Sequence, residues 1–243
     1  MIANTVQESR APYGVKTPLR TEQAERRVVL HGVSWETYKA LSRDIGDSRS
    51  CRLAFDSGAL EIMSPLIPHE NSQLSIGRIV LMLAEEIGIP CCALGALTCE
   101  CEVQGKAIEP DGCFYIQNLH RVKGLKKLDF TIHPAPDLMV EVDMNTNSMS
   151  KLAICAALGV PEHWRFDGEK LEIRLLKGGQ YFESNVSLAF PEILFAHKIT
   201  DFIPSGIDDS TSFNHKFRTW IRSELRKQKA SKSAPKKSRK KSV

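Results

Sequence analysis

The chain has 243 residues, 42% of them apolar and 26% charged, with a formal net charge of +4. This is the composition of an ordinary globular protein, long enough for one large domain or two small ones around a full hydrophobic core. No apolar run approaches the roughly 18 residues of a membrane span, and the opening residues lack the basic-then-apolar plan of an export signal, so no membrane partner and a cytoplasmic location are expected.

The charge is unevenly distributed. From Arg222 onward ten Lys and Arg stand against Glu224 alone, which leaves 23 basic and 28 acidic groups, a net −5, in residues 1–221. The Ser/Lys/Ala/Pro-rich stretch 222–243 cannot build a core and reads as a disordered basic tail. Its Arg226, Lys227, Lys229, Lys236, Lys237, Arg239, Lys240 and Lys241 are candidate nucleic-acid contacts, because an acidic body repels a phosphate backbone and a flexible cationic arm offsets that repulsion.

In chain order, residues 1–25 are polar, contain Pro12 and Pro18, and read as a loose arm before a single domain at 26–221. Ser34 is a candidate cap for a helix over Trp35–Ile45. Arg52–Asp56 and Ala59–Met63 alternate as two strands of a hairpin turned at Asp56-Ser57-Gly58, and Glu61 faces away from Leu60 and Ile62. The longest helix is predicted from His69 to Ile87, with Leu74, Ile76, Ile79, Val80, Leu83 and Ile87 as its buried stripe and Gly88 and Pro90 ending it. His69, near its first turn, suits a neutral hydrogen-bonding role better than a metal ligand, since an imidazolium there opposes the helix dipole.

Strands are predicted at Pro90–Leu94, Leu97–Val103 and Gly112–Ile116, with Glu109-Pro110-Asp111 as a proline-fixed corner. After a strand over Asp137–Asp143, the Ala/Leu-rich run 150–158 reads as a helix capped by Ser148 or Ser150 and ended by Gly159. His163–Asp167, Lys170–Leu176 and Gln180–Ser184 form a meander. A helical segment follows from Phe190 to about Phe202, and a last helix over Phe213–Arg226 carries Phe213, Phe217, Trp220 and Ile221 on one side. The seven cysteines are odd in number and contain no Cys-x-x-Cys pair, so reduced, buried thiols are expected rather than a zinc site.

The chemistry concentrates around residues 136–151. Leu138, Val140 and Val142 fall on one face of the predicted strand, while Asp137, Met139, Glu141 and Asp143 fall on the other. Strand, turn and helix make the first half of a βαβ unit, in which Glu141, Asp143 and Lys151 can converge. Carboxylates under a covered sheet need a cation. Asp111 and Glu141 are therefore candidate ligands for Mg²⁺ or Mn²⁺, with Lys151 stabilising charge on a phosphate, Glu61 as a further catalytic acid, and Asp143 and His69 as auxiliary groups.

At these residues the chain resembles the Uma-type restriction-endonuclease-like family of the PD-(D/E)XK nuclease superfamily, frequent in cyanobacteria. The resemblance covers roughly residues 34–202. Gly58-x-Leu60-Glu61-x-Met63-Ser64-Pro65 with His69, Glu109-Pro110-Asp111-x-Cys113-Phe114-Tyr115, Pro136-Asp137-Leu138 to Glu141-Val142-Asp143, Lys151, and Gly159-Val160-Pro161-Glu162 before Trp164-Arg165 carry it. It implies an α/β fold, a mixed β-sheet core flanked by α-helices with an added N-terminal helix and β-hairpin. It also implies a metal-dependent endonuclease site at Asp111, Glu141 and Lys151, a nucleic acid partner with DNA first in line, and a homodimer as an option. The superfamily lysine normally stands two residues after the glutamate. Here Asp143 holds that place, and the resemblance suggests that Lys151 replaces it from the following helix. The rival readings are a non-catalytic nuclease-fold module that binds nucleic acid or dimerises, and a hydrolase of another phosphoester with a closed pocket. Gly-x-Ser-x-Gly and His-Glu-x-x-His are absent, which argues against esterase and zinc protease chemistry.

Overall fold

The computed structural model describes residues 25–46, 50–144, 149–193, 196–203 and 209–233. Its strands are β1 (Glu25–Leu30), β2 (Arg52–Asp56), β3 (Ala59–Pro65), β4 (Cys92–Gly95), β5 (Cys99–Cys101), β6 (Lys106–Ile108), β7 (Gly112–Tyr115), β8 (Leu138–Val142), β9 (Glu162–Phe166), β10 (Leu171–Lys177) and β11 (Gln180–Ser184). The helices are α1 (Trp35–Ile45), α2 (Ile67–Ile87), the single turn α3 (Leu119–Val122), α4 (Leu152–Leu158) and α5 (Ser210–Ser233).

The strands form two sheets, one of five strands in the order β1-β3-β2-β6-β5 and one of six in the order β11-β10-β9-β8-β7-β4. The five-stranded sheet is antiparallel throughout. In the six-stranded sheet only β8 and β9 run parallel, joined by α4 as the crossover of a βαβ unit. This is the mixed sheet with flanking helices that the sequence implies. The predicted hairpin is no appendage, however, because β1 and β6 extend it on both sides into a second sheet.

Alternation explains how the layers stack. Leu138, Val140 and Val142 of β8, Trp164 and Phe166 of β9, and Ile173 and Leu175 of β10 face α2 and α5 and bury against Ile76, Ile79, Val80, Phe213, Phe217 and Ile221. The opposite face presents Cys113 and Met139 to Ala54 and Ile108 of the five-stranded sheet and to Ile154 and Cys155 of α4. Charged residues fill the rest of this second interface.

Local chemistry sets several boundaries. Ser57 and Gly58, both at positive φ (50° and 99°), make the two-residue turn of the β2–β3 hairpin. The Ser34 hydroxyl caps α1 by accepting from the Thr37 N–H at 3.1 Å.

Four expectations need correction. Leu74 is 52% exposed and does not belong to the buried stripe of α2. Lys151, not Ser150, is the N-cap residue of α4, and its side chain is used elsewhere; Ser148 lies outside the described residues. A 3-10 helix occupies Ala196–Phe202 where a longer helical segment is expected. Finally, α5 runs to Ser233, so the first dozen residues of the predicted tail are helical. Leu225 packs on the core and Arg222 pairs with Glu86 of α2, which extends the ordered surface past Arg222. Of the predicted arm 1–25, residues 1–24 lie outside the described residues, as do 234–243, while Glu25 is buried as the first residue of β1.

Candidate active site

Glu141 and Lys151 lie at opposite ends of the β8–α4 connection and meet between the two sheets. Lys151 Nζ donates to Glu141 Oε2 at 2.5 Å, with the glutamate 2% and the lysine 8% exposed. Burial pushes the Glu141 carboxyl up to about 7, even though the Lys151 ammonium opposes this, and the negative charge of Asp111 adds to the rise. Burial works against the Lys151 ammonium, but Glu141, Asp111 and Glu61 together hold its pKa above the usual lysine value.

Pro110 ends the β6 side of the corner and sends Asp111 into the same space. The β7–β8 ladder pairs Gly112 with Val140, and beyond it the Asp111 carboxylate takes over, with Oδ2 accepting the Val142 N–H at 2.7 Å. Gln73 of α2 fixes the Asp111 backbone by donating to its carbonyl at 2.6 Å. Arg52 Nη1 stands 3.2 Å from Oδ1, and His69 Nε2 3.4 Å from Oδ2. Burial opposes ionisation, yet His69, Arg52 and Lys151 hold the Asp111 carboxyl below its ordinary value.

The auxiliary residues divide into different roles. His69 Nε2 lies 3.0 Å from the Val142 carbonyl oxygen and 3.4 Å from Glu25 Oε2. Burial disfavours its imidazolium, but Asp111 and Glu25 outweigh burial and raise the pKa. His69 thus has hydrogen-bonding partners of the kind expected, and the two carboxylates favour its imidazolium more than the helix position alone suggests. Glu61 is committed on both oxygens, to Arg27 Nη1 at 2.5 Å and to the Met149 N–H at 2.9 Å, and its Oε1 stands 3.9 Å from Lys151 Nζ. Asp143 accepts from Arg27 at 3.2 Å and from Arg165 at 3.1 and 3.2 Å.

Asp137 shares the strand face but lies at the far end of β8. It is spent on capping the turn after β7, where it accepts from the Ile116 and Asn118 N–H groups at 2.6 and 2.9 Å. The exposed Arg226, Lys227 and Lys229 ride on α5, against the sheet face opposite Glu141. Lys236, Lys237, Arg239, Lys240 and Lys241 lie outside the described residues.

Sequence reasoning overlooked Glu25 and Arg27 of β1, Arg52 of β2, and His163 and Arg174 of β9 and β10. Arg27, whose side chain is 2% exposed, joins Glu25, Glu61 and Asp143. The run Glu-Arg-Arg-Val-Val-Leu has strand-like length but no alternation of polar and apolar residues, so the sequence carries little signal for β1.

Two oxygens test whether the site suits a divalent cation. Asp111 Oδ1 and Glu141 Oε1 are both buried and have no hydrogen-bond partner among the described residues. Glu141 Oε1 is the open oxygen of its carboxylate, whereas Asp111 Oδ1 faces Arg52 Nη1 at 3.2 Å; hard carboxylate oxygens of this kind suit Mg²⁺ or Mn²⁺. Among the described residues no three His, Cys, Asp or Glu side chains are grouped to hold a metal, so water or substrate oxygens would supply the remaining ligands.

Sheet and site together define an α/β protein with a buried carboxylate–lysine centre between two layers, at the carboxyl end of a central strand. The sequence pattern of the Uma2 family, described as "Putative restriction endonuclease", matches residues 35–199, and the chain belongs to that family. A solved structure described as a "putative nuclease belonging to DUF820 from Anabaena variabilis" resembles it over 69% of this chain and 97% of that one, with 13% identity and a TM-score of 0.49. No curated protein is similar enough to count as a match. Among the described residues no helix is long and apolar enough to cross a membrane.

Proposed function

We propose that the protein is a divalent-metal-dependent endonuclease of the PD-(D/E)XK type that hydrolyses phosphodiester bonds in DNA. Family membership supports the nuclease class. The observation that carries the finer reading is the electrostatic contact among the buried Asp111, Glu141 and Lys151, with Glu141 Oε1 lacking a hydrogen-bond partner among the described residues and Asp111 Oδ1 facing Arg52.

Asp111 Oδ1 and Glu141 Oε1 would hold the ion, which when bound polarises the phosphate and lowers the pKa of a water. Lys151 moves its ammonium from Glu141 toward the negative charge that grows on the phosphate oxygens, a contact strengthened by exclusion of water. Glu61, clamped by Arg27, limits where that ammonium can travel and so acts as a positioning residue rather than as a catalytic acid. Val142 N–H and His69 fix the carboxylate plane of Asp111.

A second reading has one observation in its favour. Lys151 and Arg52 already neutralise Glu141 and Asp111, as a purely structural charge network in a non-catalytic nucleic-acid-binding or dimeric module would require. Incubation of the purified protein with supercoiled plasmid across a Mg²⁺ and Mn²⁺ series separates the two. Nicking that disappears in Glu141→Ala supports the endonuclease; intact plasmid at every metal concentration, with the fold verified, leaves the non-catalytic module.

A further inference from the structure

On the site face of the mixed sheet, antiparallel register sets His163 of β9 opposite Arg174 of β10. His163 is 2% exposed, and neither of its ring nitrogens has a hydrogen-bond partner among the described residues. Arg174 donates from Nη2 to Glu172 at 2.7 Å, but its Nε is buried and has no acceptor. Both residues line a cavity of about 230 Å³, together with Lys151, Arg165, Glu141 and Asp143.

Buried polar atoms without partners are uncommon in folded proteins, so three such atoms on one cross-strand pair point to a missing partner. The ligand has to offer acceptors, because the guanidinium Nε–H can only donate. An anion is favoured, since Lys151, Arg165 and Arg174 outnumber the carboxylates Glu141 and Asp143 among the lining residues. Together with burial, these cations push the His163 imidazole down to about 3, so the ring offers one N–H donor. Donors arriving from β9, β10 and α4 approach from different sides, as suits a tetrahedral oxyanion better than a planar carboxylate. The seat adjoins the Asp111–Glu141 site and shares Glu141 and Lys151 with it: parallel register pairs His163 with Met139 and Arg165 with Glu141, so His163 lies about 6.6 Å from Glu141 along the strands.

We propose that this cavity is a phosphate seat, in which His163 and Arg174 donate to the oxygens of a strand phosphate neighbouring the one that is cut. The origin of the phosphate rests on the nuclease reading; the seat itself rests on the geometry.

The test uses full-length protein with a chelator present, so that neither metal nor cleavage enters. The imidazole Cε1–H signal of His163 is followed by NMR during titration with inorganic phosphate, with the dinucleotide thymidylyl-thymidine, and with sodium chloride at matched ionic strength. A saturable shift with phosphate and dinucleotide but not with chloride is expected. In Arg174→Gln, and in Arg174→Lys, which keeps the charge but lacks the Nε–H, the dissociation constant should rise roughly tenfold or more while the unliganded His163 signal stays in place. Silence toward both probes, or an equal response to chloride as for an adventitious ion only, overturns the seat. A response to inorganic phosphate alone overturns the assignment to a strand phosphate. A protein that cuts no plasmid but binds the dinucleotide loses the endonuclease reading and keeps the seat.

Discussion

Arg27 on β1 and Asp143 just past β8 stand 3.2 Å apart, so one buried guanidinium crosses the seam between the two sheets. The same group holds Glu25 at 2.6 Å and Glu61 at 2.5 Å. Removing it strands buried carboxylates, and Arg27→Ala should lower stability by about 3–5 kcal/mol in urea unfolding. Arg27→Lys should recover only part of this, because a point charge cannot fork between three acids. Wild-type stability in Arg27→Ala would contradict the clamp.

Metal binding should depend on both predicted ligands. Calorimetric titration with Mn²⁺ should give one site in the wild type and none in Asp111→Asn or Glu141→Gln, each of which preserves side-chain shape. Unaltered binding in both variants would place the cation elsewhere.

Lys151→Met should retain the fold, because the Glu141 carboxyl, already raised to about 7, takes up a proton once its cation is gone. Cleavage should nevertheless fall at least a hundredfold, as expected when one transition-state charge contact is lost. Supercoiled plasmid nicking at saturating metal measures this. An undiminished rate would remove Lys151 from the chemistry.

The pattern of recovery from sequence has physical reasons. β8 and α4 were legible because Leu138, Val140 and Val142 alternate cleanly, and because an Ala/Leu run ending at Gly159 admits little but a helix. β1 was not legible, since its buried face is Glu25, Arg27 and Val29 while Val28 and Leu30 are 48% and 44% exposed. Polarity there is inverted, and only Glu61 on the adjacent strand β3 together with Asp143 from the other sheet makes such a face worth burying. Asp111, Glu141 and Lys151 stood out as acids and a base near strand ends. His163 did not, because its partnerless nitrogens exist only once β10 and α4 are in place. The helical start of the predicted tail was hidden because Lys and Arg are good helix formers, whose sequence does not reveal the acidic surface of α2 that receives them.

His163 should leave a signature in the pH dependence of stability. Its folded pKa, near 3, lies below the unfolded value near 6.5, so between these limits the unfolded chain binds a proton that the folded chain does not. Stability should therefore fall as pH drops below about 6.5, by up to about 1.4 kcal/mol per pH unit from this group. His163→Phe should flatten that segment of the curve in phosphate-free buffer, as read from denaturation midpoints at pH 4 to 7; an unchanged slope would count against a neutral buried ring.

The basic terminus calls for a cut that spares α5. Deleting residues 234–243 removes Lys236, Lys237, Arg239, Lys240 and Lys241 while keeping the Arg222–Glu86 and Arg218–Glu85 pairs. Five phosphate contacts correspond to a log–log salt slope of about −4.5 on duplex DNA. Anisotropy titrations across a salt series should show the truncated protein binding more weakly and with a flatter slope, while its melting temperature stays within a degree or two. Equal slopes would exclude the terminus as the anchor.

The charged centre draws on β1, β3, α2, β8, α4 and β9, from Glu25 to Arg165, with Arg174 at its margin. Contacts so distant in sequence form late in folding, since loop-closure entropy has to be met before they stabilise anything. No amino-terminal fragment that stops short of residue 165 can hold the complete centre. A growing chain therefore has the complete charged centre only after both sheets have closed on each other.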